Sequence, residues 1–146
     1  MTVDEDKVRK DGRQGDVLGE AVAVPGPSDA RRQVRHLIDQ HLREGGANRH
    51  ATFVADALLV TSELVTNAVR HGGGLVDFRA RWTAEGLWLC AVDRSHHLPD
   101  TTRAVPTEVH GRGWPLICRL ARDLTIALLP EGGKRISMTV ALAPRP

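Results

Sequence analysis

The sequence predicts a single domain of the α+β class, and three observations point there. The chain has 146 residues with 41% hydrophobic content, enough for one sizeable core and too short to divide comfortably into two. Aromatic residues make up only 3%, with no tyrosine, so the core must be built from Val, Leu, Ile and Ala, which suits helices interleaved with strands. The apolar periodicity also switches repeatedly between helical and strand spacing, in the order β-α-α-β-β-α-β-β.

Taken in order, residues Met1 to Asp16 are charged and lack apolar periodicity, so they read as a disordered tail before a domain spanning residues 17–143. LGEAVAVPG alternates weakly and ends at Pro25-Gly26-Pro27, which predicts a short first strand closed by a turn. Ser28 is placed as the N-cap of a helix through RRQVRHLIDQHL, with Asp29 in its first turn and Gly45-Gly46 as its terminator. A second helix is expected from about Ala51 to Arg70, stopped by Gly72-Gly73-Gly74. LVDFRARW and LWLCAVD alternate as two strands around a turn at Ala84-Glu85-Gly86, forming a hairpin that ends at Asp93. From Arg94 to Gly113 periodicity disappears and the composition is that of a functional loop. A third helix starts near Trp114-Pro115, where proline suits the first turn, and DLTIALL and RISMTVAL close the domain as strands.

Composition narrows the function classes. A net charge of +2 arises from mixed charges without basic blocks, which is no footprint for nucleic acid. Cys90 and Cys118 form no close pair, and each sits in an apolar run where a buried reduced thiol is expected. With no secretory hydrophobic segment, and no apolar stretch near the roughly 18–20 residues needed to span a bilayer, a cytoplasmic protein without membrane contact is expected. His96, His97 and His110 match no zinc spacing and read as loop histidines. Neither a Gly-x-Ser-x-Gly elbow nor a Gly-Lys-Ser/Thr phosphate loop is present.

The second helix is the most informative segment. On a wheel of about 3.6 residues per turn, Val54, Leu58, Thr61, Val65 and Ala68 share one side, while Asp56, Glu63, Asn67 and His71 share the other. Spacing alone is equally that of a solvated amphipathic face. As a site, however, the row suits a Mg-phosphate ligand. An amide oxygen such as that of Asn67 is a hard, uncharged ligand for Mg²⁺, and a carboxylate one turn earlier, Glu63, can deprotonate an attacking hydroxyl. His71 is placed either to meet the ligand or to cap the helix end. Asp93 ends an apolar strand, where a turn-forming role is the ordinary one. Gly111-Arg112-Gly113 precedes a helix, where glycines let backbone N–H groups approach a phosphate. Lys134 reads as a solvated hairpin lysine.

Together these strings resemble the GHKL (Bergerat-fold) ATPases, and most closely the bacterial anti-sigma-factor serine/threonine kinases, over about Leu18 to Leu142. LLVTSELVTNAVRHGGG is similar to their N-box, AVDRSHHLP to their V-x-D-x-S-x-x-x-P box, GRGWPLICRL to GRGL-x-L-V-x-x-L, and GGKRISMTV to their closing strand. The DxGxG form of sensor kinases is absent, Trp114-Pro115 departs at the lid hinge, and Arg122-Asp123 stands where many relatives have Trp-Gly. The resemblance implies a two-layer α/β sandwich, its mixed, mostly antiparallel sheet covered on one face by about three helices. It also implies ATP and Mg²⁺ as cofactors, with Asn67 on the metal, Glu63 as general base, Asp93 reading adenine, and Gly111, Arg112 and Gly113 with His71 around the nucleotide. The partners implied are ATP or ADP, a sigma factor and an anti-sigma-factor antagonist phosphorylated on serine, with homodimerisation common among similar proteins. The alternative expectation is a non-catalytic module whose protein-binding surface depends on nucleotide.

Overall fold

The computed structural model describes residues 26–42, 50–99 and 113–142. The expected tail, the expected first strand up to Pro25, Gly45-Gly46, and His110 with Gly111 and Arg112 lie outside the described residues. What is described forms α1 (Pro27–His41), α2 (Ala51–His71), β1 (Leu75–Trp82), β2 (Gly86–Asp93), α3 (Gly113–Leu120), β3 (Arg122–Leu128) and β4 (Lys134–Ala141). The strands make one sheet in the order β1-β2-β4-β3, with every pairing antiparallel. The result is an α+β two-layer sandwich.

Cross-strand register explains which face is covered. Phe78 and Ala80 on β1 pair with Ala91 and Leu89 on β2, and these pair with Ile136 and Met138 on β4. With a side-chain period of two, all of them point to one face. Each is at least nine-tenths buried, in a cluster with Val34 and Ile38 of α1, Val60, Leu64 and Val65 of α2, and Ile117 of α3. On the opposite face Arg81 lies 4.9 Å over the ring of Trp88, its cross-strand partner.

Helix α1 is held against the sheet by Trp82, whose indole Nε1 donates to the Leu37 carbonyl at 3.1 Å and whose ring stacks on His41 with centroids 4.1 Å apart. The helix starts one residue before its expected cap. Gly26 is the N-cap and Pro27 opens the helix, while Ser28 lies in its first turn. Proline is pre-organised there, since its ring fixes φ at a helical value and its missing N–H would have had no partner anyway.

Helix α2 buries a wider arc than the sequence wheel predicts. Phe53, Ala57, Val60 and Leu64 are covered as well as Val54, Thr61, Val65 and Ala68, because the helix meets α1, the sheet and α3 on different sides. This breadth also corrects the expectation about apolar length. With 21 residues and a mean hydropathy of 1.3 over its most apolar window, α2 is long and apolar enough to cross a membrane, yet it is the central helix of the core.

Cys90 is buried, whereas Cys118, expected to be buried, is exposed. Helix α3 is only eight residues long and turns Trp114 and Ile117 inward, which leaves Cys118 and Arg119, the two residues that follow, on its outer side.

Candidate functional site

The candidate residues gather at two places on α2. The first is its C-terminal end, where β2 delivers Asp93 on the covered face of the sheet. Asp93 pairs in register with Lys134, the first residue of β4. Lys134 Nζ lies 2.8 Å from Asp93 Oδ2 and 3.0 Å from Oδ1, and the two residues are only 3% and 4% exposed. The Ser95 N–H donates to Oδ1 at 2.9 Å, and the ammonium reaches the Ser95 carbonyl at 3.4 Å. Lys134 is therefore no solvated hairpin residue. Strand β4 starts one residue earlier than the sequence suggests, and the alternation of its side chains turns Lys134 inward onto Asp93. A strand-ending acid and a strand-starting base were both visible, but their meeting depends on the β2–β4 pairing.

Helix α2 closes over this pair. Gly72, its C-cap, sits so near the Asp93 carboxylate that a Cβ there would collide with Oδ2, and the Arg94 N–H donates to the Gly72 carbonyl at 2.9 Å. The glycine run thus permits close approach of the helix end to the strand end.

The second place lies about one and a half to two and a half turns earlier along α2, roughly 7–13 Å at about 1.5 Å per residue. Here Glu63 and Asn67, one turn apart, face Gly113, the first residue of α3. A Cβ on Gly113 would strike Glu63 Oε2 and would lie 3.7 Å from Asn67 Oδ1. The Asn67 Nδ2 is buried and has no hydrogen-bond partner among the described residues. Such an orphan is uncommon in folded proteins and asks for an explanation. The start of α3 adds backbone N–H groups and the positive end of a helix dipole, a setting that favours anions.

His71 is exposed on the last turn of α2, one residue before Gly72, and so sits nearer Asp93 than the Glu63 cluster. His96 and His97 are exposed, the former with Nε2 3.2 Å from the Leu129 carbonyl. Trp114 is buried in the core, its Nε1 without a partner among the described residues. Asp123 takes φ +53°, a left-handed conformation that suits the glycine found there in the pattern this sequence resembles.

A polar helix face, an acid at one end and a glycine-led helix start at the other, all on a helix-covered antiparallel sheet, match one family. The model of the histidine kinase-like ATPase domain fits residues 25–140. The chain belongs to this family. No curated protein and no solved structure gives a match. The match spans every described element except the last residue of β4, so the histidine kinase-like ATPase domain, an ATP-binding module of the GHKL kind, accounts for the described fold.

Whether the residues fit a magnesium ion can be judged from the Glu63 cluster. Among the described residues no group of three or more His, Cys, Asp or Glu side chains converges as a metal cage. One amide and one carboxylate beside a helix start is instead the donor set expected when Mg²⁺ keeps its waters and takes its other ligands from phosphates. A half-turn of the Asn67 amide exchanges its nitrogen and oxygen, so the unpartnered position can present an acceptor. The residues fit.

Proposed function

We propose that this histidine kinase-like ATPase domain binds Mg-ATP along α2 and is a serine/threonine protein kinase of the anti-sigma type, which sequesters a sigma factor and phosphorylates a serine of an antagonist protein. The observation that carries the reading is the convergence of Glu63 and Asn67 on the first residue of α3, with Asp93 held at the far end of the same helix. The adenine amino group donates to Asp93, and the phosphates lie toward Gly113.

Asn67 would hold Mg²⁺ through its amide oxygen, and the ion supplies neutralisation of charge on the phosphate oxygens. Glu63 takes the proton of the acceptor serine as its hydroxyl oxygen attacks the γ-phosphorus. The bond from that phosphorus to the β-phosphate oxygen breaks, and ADP leaves. The N–H groups at the start of α3 stabilise the charge that develops.

A second reading is favoured by one contact. Glu63 Oε2 is packed against Gly113, so the carboxylate also serves to seat α3, and a module that binds nucleotide without transferring phosphate would need no more than that.

Glu63→Ala and Asn67→Ala separate the two. With labelled ATP and the antagonist, Glu63→Ala should lose phosphotransfer by about 10²-fold or more while still binding nucleotide. Asn67→Ala should lose Mg-dependent binding measured by calorimetry. Transfer at the wild-type rate by both variants overturns the mechanism. Nucleotide binding by the wild-type protein without any transfer favours the second reading.

A further inference from the structure

The buried pair at the C-terminal end of α2 has a consequence for which base the site accepts. We propose that Lys134 is a positioning and specificity-determining residue, which fixes the orientation of the Asp93 carboxylate and thereby makes the site choose a base with an exocyclic amino group over one with a carbonyl at the same position. The inference rests on the nucleotide reading above, in which Asp93 meets the base.

The geometry supports this in three steps. Lys134 contacts both carboxylate oxygens, at 2.8 and 3.0 Å, and neither side chain is more than 5% exposed, so water does not compete for the pair. An ionised carboxylate has about four acceptor positions and no donor. Among the described residues, Oδ1 accepts from the Ser95 N–H and from Lys134, while Oδ2 meets Lys134 alone, on the side that faces Gly72. One acceptor position therefore remains, on Oδ2, beside the glycine end of α2.

An adenine amino group donates and satisfies that position. The guanine O6 is an acceptor and would set two lone pairs against each other. A carboxylate free to turn would not hold that acceptor position toward the base, and the ammonium, in contact with both oxygens, is what fixes it. Sites built around a buried hydrogen bond discriminate strongly because the wrong partner leaves polar groups unpaired. Lys134 acts through Asp93 and need not touch the nucleotide.

The test is calorimetric titration of the full chain with Mg-ATP and Mg-GTP, for wild type, Lys134→Met and Lys134→Arg, with circular dichroism to establish folding. Wild type should prefer ATP. Lys134→Met should lose about tenfold or more in ATP affinity, with its ATP-to-GTP ratio falling toward one, and Lys134→Arg, which keeps the charge, should recover most of the ratio. A lysine that served stability alone would lower the melting temperature and leave the ratio unchanged, so a folded Lys134→Met with the wild-type ratio overturns the proposal. If Lys134→Met does not fold, Lys134→Arg decides: a folded Arg variant whose ratio has collapsed overturns it, and one that keeps the ratio supports it. A wild-type chain that binds ATP and GTP equally overturns this inference alone. A wild-type chain that binds neither at millimolar concentration overturns the nucleotide reading itself.

Discussion

The two ends of the polar face of α2 differ in how their polar groups are satisfied. At the Asp93 end, the carboxylate, the ammonium of Lys134 and the Ser95 N–H are joined, and Gly72 closes over them. At the Glu63 end, the Asn67 amide nitrogen is buried without a partner among the described residues, and Glu63 rests on the first residue of a short helix. The first end is organised by the protein itself. The second has its groups assembled around a position that protein atoms do not satisfy, which is the arrangement expected where a ligand completes the hydrogen bonding.

The sharpest break in this contrast comes from Lys134→Ala. It leaves a buried carboxylate without its counter-charge and should cost about 3–5 kcal/mol by chemical denaturation, whereas replacing both members with apolar residues of similar volume, Asp93→Leu with Lys134→Met, should cost far less. Near-equal losses in the single and double variants would mean the pair is not the organising feature of that end.

Alanine at each glycine compares the two ends directly. Gly72→Ala drives a methyl group into a carboxylate that Lys134 and Ser95 hold in place, and should cost about 2–3 kcal/mol. Gly113→Ala meets the tip of the flexible Glu63 side chain, which can rotate aside, and should cost about 1 kcal/mol. Thermal unfolding of both variants checks the order, and its reversal would show the Glu63 end to be the stiffer.

Asn67→Leu removes the unpartnered amide and keeps the volume. It should raise stability without nucleotide by about 1 kcal/mol, and on the proposed function it should abolish the stabilisation by Mg-ATP. Loss of stability would mean that Asn67 is already satisfied within the protein. A gain of up to about 1 kcal/mol is expected from Asp123→Gly, since the backbone at that bulge of β3 is left-handed.

The smallest effect concerns the cysteines. Partial burial pushes the Cys118 thiol up from its ordinary value. Iodoacetamide should therefore modify Cys118 in the folded protein, but more slowly than free cysteine at the same pH, while Cys90 reacts only after unfolding. Rapid native labelling of Cys90 would break the described packing of the sheet.

Much of this molecule was legible in one dimension. The alternation in LVDFRARW and LWLCAVD set the β1–β2 hairpin, and the Gly72 run bounded α2, because periodicity and backbone restrictions are local properties of the chain. The Glu63 and Asn67 spacing put both on one helix face for the same reason. The sequence also carried Asp93 and Lys134 as separate marks, yet their roles were misjudged in Lys134, as was the exposure of Cys118. Only the tertiary structure decided that β4 lies beside β2, that Lys134 meets Asp93 across 41 positions of chain, and that Gly113 brings α3 onto Glu63. Those contacts depend on strand order and helix placement, and no local propensity encodes which distant residues will be neighbours once the core closes.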